Sequence, residues 1–160
     1  MYMLKSEPYR KKLRSGDLSY VDTASGHRFY ILIARARPVP DKMVFNGYLI
    51  YVYAPVKAAH DSGIDLSKRE LICAPQFLSS SGWLRGYFNF VKNVPEYEQY
   101  IEKEHVFSSC IFSKAGYANE WGESVEPRPD SLMFALGSHC TLDYDIAEYM
   151  GWDLDSAGVE

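Results

Sequence analysis

Several features are scarce or absent in this chain, and each narrows what it does. It holds no run of about 18 apolar residues, the least that crosses a bilayer as a helix. Its opening, Met1 to Pro8, has no apolar core of a secretory leader, so work in the cytoplasm is expected. Cysteine is scarce: Cys73, Cys110 and Cys140 are odd in number and widely spaced, which argues against a disulfide framework. Cys73 and Cys110 lie in apolar, strand-like surroundings where a thiol packs as a small hydrophobe, and all three are expected to be reduced and non-catalytic. There is no Gly-rich phosphate loop, no Gly-x-Ser-x-Gly elbow, no His-Glu-x-x-His and no Cys-x-x-Cys, so no catalytic residue, metal or cofactor is expected. The nearest candidates are weak. His139-Cys140 with His105 would need convergent side chains, and His60-Asp61 would need metal-binding partners from distant segments.

What is present describes a globular domain. The 160 residues suit one domain, spanning 1–160, large enough to bury a core without metals or disulfides. Aromatic residues reach 15%, led by 13 tyrosines, and favour strands over helices. The expected class is α+β and β-rich, a twisted antiparallel sheet of about five or six strands with a few short helices. Residues 1–14 read as a basic lead-in. Residues 18–22 and 28–35, separated by Ala24-Ser25-Gly26-His27, read as a hairpin, and Pro38 and Pro40 stop its second strand. Asn46-Gly47 opens a third strand, 48–53, apolar on both faces and so interior to the sheet. Residues 82–91 read as a central strand antiparallel to 71–75, with Leu84, Phe88 and Phe90 in the core and Gly86 in the gap between them. Short helices near 95–104 and 143–151, strands at 106–112 and 132–136, and an exposed loop over 116–130 complete the pattern. Residues 55–70 are polar and irregular.

Charge is divided unevenly. Residues 1–114 hold 16 Lys and Arg against 11 Asp and Glu, a net of +5, while residues 115–160 hold Arg128 against ten acids, a net of −9. Such a field attracts a basic partner and repels phosphates, so direct nucleic-acid contact by this third is not expected. Glu120, Glu123, Glu126 and Asp130 lie in a Gly- and Pro-rich stretch expected to be exposed, with Trp121 as a candidate anchor. Asp143, Asp145 and Glu148 flank the last helix, where capping and dipole compensation are the plain alternative to partner binding.

The segment Arg14-Ser15-Gly16-Asp17, the strand end Ala74-Pro75 and the run Gly82-Trp83-Leu84-Arg85-Gly86-Tyr87-Phe88 resemble the immunity protein 26 family of bacterial polymorphic toxin and contact-dependent growth inhibition systems. The likeness spans roughly residues 10–112, with Ser80 in place of the family's usual lysine three positions before the tryptophan. It implies a β-rich cytoplasmic antitoxin that binds and neutralises one cognate toxin domain, commonly a nuclease, and it carries over no catalytic residues. A basic toxin domain is the expected partner, with the acids taking the places where it would hold phosphates. A β-rich, non-catalytic binding module for another protein or nucleic-acid partner is the alternative, and an enzyme the third reading. Residues 55–70 are the fallback interface.

Overall fold

The computed structural model describes residues 1–36, 47–60, 65–108, 116–129, 131–133 and 135–158. Strands β1 (Asp17–Asp22), β2 (His27–Ala36) and β3 (Gly47–Lys57) pair antiparallel in sequence order, with Val21 opposite Phe29 and Ile31 opposite Val52. Period-two alternation sends Phe29, Ile31 and Ile33 to one face of β2 and Tyr30, Leu32 and Ala34 to the other. All six are buried, because both faces of the sheet are covered. On the first face they meet Leu78, Trp83, Phe88, Leu142 and Ile146, and on the second Leu49, Tyr51, Tyr53, Leu66 and Phe107.

The remaining elements are β4 (Gln76–Ser79), the single helical turn α1 (Ser81–Leu84), β5 (Asn89–Asn93), β6 (Val106–Ser108), β7 (Tyr117–Asn119), β8 (Leu132–Met133), β9 (Leu136–Gly137) and α2 (His139–Met150). The main sheet runs β5-β1-β2-β3-β4-β9, and a smaller one runs β7-β6-β8. The protein is therefore α+β and strand-rich, as its composition indicated. The main sheet is antiparallel except at the β4–β9 edge, where the strands are parallel. Helix α2 starts earlier than expected, behind a capping box in which Ser138 Oγ accepts the Cys140 N–H and Thr141 Oγ1 accepts the Ser138 N–H. It ends at Gly151, at φ +67°.

The stretch 82–91 corrects the sequence reading. It is a corner followed by an edge strand, and β5 pairs with β1 rather than with residues 71–75. Leu84, expected in the core, is 45% exposed, and Phe90 is half-buried against Tyr9, whereas Trp83, Tyr87 and Phe88 are buried. The Trp83 indole N–H reaches Ser19 Oγ at 2.9 Å, its ring meets Phe88 edge-on at 4.8 Å, and the amides of Tyr87 and Phe88 both donate to Gly82 O. The two glycines are required by packing. A Cβ on Gly82 would fall 2.2 Å from the Phe88 ring, and one on Gly86, at φ +85°, would fall 2.1 Å from Ser6 O. Alternation in this run reflects side chains folded around a turn rather than spread along a strand.

Most of the smaller corrections come from pairing between segments separated in the chain. Residues 1–14 are no loose lead-in: Met3 bridges Thr23, and Met3 and Leu13 are buried in the core. Leu71 makes a lone bridge to Tyr53, with β4 beginning only at Gln76, and the expected helix near 95–104 is a 3-10 turn over Tyr97–Tyr100. The stretch 116–130, expected as loop, contains β7. Residues 132–136, expected as one strand, divide between the two sheets. Pro38, Pro40, Asn46, Asp61, Cys110 and Asp130 lie outside the described residues.

Candidate partner-binding site

Past β7 the chain folds into a tight turn organised by Asn119. The Asn119 N–H donates to Glu123 O at 2.9 Å, and Asn119 O accepts the Gly122 N–H at 3.0 Å. Its side-chain Oδ1 accepts the amides of Trp121 and Glu123 at 3.1 and 3.0 Å, and its Nδ2 donates to the Glu123 carboxylate at 2.8 Å and to Glu104 at 3.4 Å. An Asn side chain is suited to this, since it offers an acceptor and two donors on a short stem. The consequence is an exposed Trp121, 40% accessible, on a fixed backbone beside the exposed carboxylates of Glu104 and Glu123. The Arg35 guanidinium lies 5.6 Å from the centre of the indole.

Glu120, expected among the exposed acids, is fully buried. It accepts the His105 backbone N–H at 2.8 Å, lies 3.0 Å from His105 Nδ1 and pairs with Arg35 Nε at 3.5 Å. The relay continues from His105 Nε2 to the Tyr51 hydroxyl at 2.7 Å, and Tyr51 in turn accepts the Glu102 N–H at 2.9 Å. The Nδ1–H tautomer satisfies this chain, with His105 donating to Glu120 and accepting from Tyr51. Burial pushes the Glu120 carboxyl up, but the hydrogen bonds from His105 outweigh it and leave Glu120 below the usual carboxylate range. Burial likewise pushes Tyr51 up to about 12, so its phenol stays protonated at neutral pH and serves as a donor. Glu120 thus clamps the turn from beneath, which removes it from the contact surface. The only sequence signal of the relay was a set of polar residues, Arg35, Tyr51 and His105, within or beside apolar strands.

The other candidates divide by exposure. Glu123, Glu126 and Glu148 are exposed, Asp145 is half-buried, and Asp130 lies outside the described residues. Asp143 is fully buried, a correction to its place among partner-binding residues: its carboxylate accepts the amides of Tyr2, Met3 and Gly158, pinning both ends of the chain against α2. Cys73 and Cys140 are free thiols. Burial, with the Asp145 charge nearby, pushes Cys73 up to about 12. Cys140 Sγ lies 3.7 Å from His139 Nε2, a contact adjacent residues seldom make, and the His139 ring is buried in a stack on Tyr87 with Nδ1 against Ser81. No group of three or more His, Cys, Asp or Glu side chains among the described residues is placed to hold a metal.

Three concavities adjoin one another through shared lining residues. A cleft of about 380 Å³ between β4, β9 and α2 is lined by Gln76, Leu136 and Asp145, among others. It shares Ala74, Pro75 and Leu132 with a cleft of about 350 Å³ that reaches His105. The second shares Glu102 with a third, of about 450 Å³, beside Tyr51 and Tyr53. Comparison of the chain with family models, curated proteins and solved structures found no match.

Proposed function

We propose that this protein is an immunity protein that binds a basic toxin domain, of nuclease type, and neutralises it by seating the Trp121 turn on the toxin. The observation that carries this reading is the pre-ordered turn itself. A large exposed indole sits on a turn held by six hydrogen bonds through Asn119, two of them to the carboxylates of Glu104 and Glu123, and a buried Glu120 fixes its base. Ordering such a loop before binding removes an entropic cost of association, and tryptophan is enriched among interface residues of high energetic weight. The exposed acids Glu104, Glu123 and Glu126 weight this surface toward negative charge, with the Arg35 guanidinium beside the indole paired to the buried Glu120. They suit a cleft built for phosphates and speed its capture. The likeness of the Gly16-Asp17 and Gly82-to-Phe88 segments to the immunity protein 26 family supports the same reading.

The test takes the basic toxin domain that this reading expects to be encoded next to this gene. Trp121→Ala is expected to weaken binding by at least about 2 kcal/mol, roughly thirtyfold. The double change Glu123→Lys with Glu126→Lys is expected to slow association and reduce its dependence on salt. Unchanged association and full growth protection in folded variants would place the interface elsewhere, with residues 55–70 the next surface to examine.

A further inference from the structure

The cleft between β4, β9 and α2 holds a carboxylate with no counter-ion among the described residues. Asp145 is half-buried there, and its Oδ2 accepts a hydrogen bond from Gln76 Nε2 at 2.5 Å. Among the described residues no cationic side chain forms a salt bridge with it, and the neighbouring charge it feels is that of Glu148, of the same sign. Burial, reinforced by Glu148, holds Asp145 above the usual carboxylate range in spite of the Gln76 hydrogen bond. Removing an anion from water without pairing it is costly, so a site that does so is complementary to a cation arriving from outside. Ala74, Pro75, Leu132, Ala135 and Leu136 form the apolar part of the lining and Gln76 and Thr141 the polar part of an open cleft of about 380 Å³.

We propose that this cleft receives a lysine side chain of the protein's partner, with the ammonium on Asp145 Oδ1 and the aliphatic stem along the Ala74, Pro75 and Leu136 walls. Lysine suits the site better than arginine because a compact ammonium needs only Oδ1, whereas a bidentate guanidinium would have to share Oδ2 with Gln76. A four-carbon stem ending in a compact charge matches a largely apolar cleft that carries one carboxylate. The cleft adjoins the one that reaches His105, the imidazole clamped to Glu120 under the Trp121 turn, so one extended partner surface spans both. That the lysine belongs to a toxin rests on the proposed function. The site's preference for an alkylammonium does not.

The experiment titrates 15N-labelled protein with Nα-acetyl-lysine methylamide, and in parallel with Nα-acetyl-norleucine methylamide, which has a similar stem and no charge. Saturable shifts of the Gln76 side-chain amide and the Thr141 backbone amide are expected with the lysine probe and not with norleucine. Asp145→Asn, close to isosteric, is expected to weaken lysine binding at least about tenfold. Absence of saturable shifts, equal binding of the two probes to the wild-type protein, or undiminished binding to a folded Asp145→Asn variant would overturn the proposal. The wild-type comparison decides even if the variant fails to fold. Lysine binding that depends on Asp145, found together with no binding of the toxin domain by the wild-type protein, would uphold this site and remove the immunity reading.

Discussion

Replacing Asp143 by Asn removes a charge and turns one carboxylate oxygen into an NH2 group, at a site where its hydrogen-bond partners among the described residues are backbone donors. One oxygen accepts the amides of Tyr2 and Met3 at 2.9 and 3.0 Å, and the other accepts the Gly158 amide at 2.9 Å. Whichever way an asparagine is turned, its NH2 faces at least one backbone N–H, leaving a poorly solvated donor without an acceptor at about 1–3 kcal/mol. The surviving bonds also fall from charge-assisted to neutral strength, a further loss of about 1 kcal/mol. The total is about 2–4 kcal/mol, or roughly 5–15 °C in Tm for a domain of this size. The loss reaches the global transition because the pinned segments are part of the core: Met3 is buried against it, Ala157 is fully buried, and the Tyr2 hydroxyl donates to Asp153 O at 2.8 Å. Urea denaturation of the Asp143→Asn protein measures the cost, and amide exchange at Tyr2, Met3 and Gly158 locates it. An unchanged urea midpoint with unchanged protection at those amides would refute the role assigned to this carboxylate.

The corner at 82–88 makes an unequal pair of predictions: Phe88→Ala is expected to cost about 3–5 kcal/mol, and the exposed Leu84→Ala less than about 1 kcal/mol, both read from urea midpoints. Equal losses would restore a strand with both side chains inside. Glu120, held below the ordinary glutamate value, contributes stability that is complete above its unfolded pKa of about 4.3 and is lost as pH falls through its folded value. Glu120→Gln is therefore expected to be destabilised at pH 7, with the gap to wild type closing below about pH 4, and a gap independent of pH would contradict this. Asp145 works in the opposite sense: its pKa is raised, so its penalty is present at neutral pH and eases as pH falls through the folded value.

The sequence alone determined the class of this protein and its most local elements. The hairpin of β1 and β2 and the doubly buried β3 were legible because alternation and turn residues act over a few neighbours, which is also the range over which a backbone chooses its conformation. The last helix and its Gly151 terminus were legible for the same reason. Tertiary structure decided the rest. Leu84, Phe88 and Phe90 alternate as a strand does, but contacts of Trp83 with Ser19 and of Gly86 with Ser6 bend the run into a corner, and both partners lie more than sixty residues away. Glu120 and Asp143 carry the same sign as the exposed Glu123 and Glu126. Whether a carboxylate is buried depends on the donors waiting for it, here His105 for one and the two chain ends for the other. No local pattern records that, because a buried charge is stabilised by groups brought together only when the sheet has formed. The Trp121 turn stands between the two cases. Its acids and its tryptophan were visible in the chain, while the Asn119 hub and the buried relay beneath it belong to the folded protein.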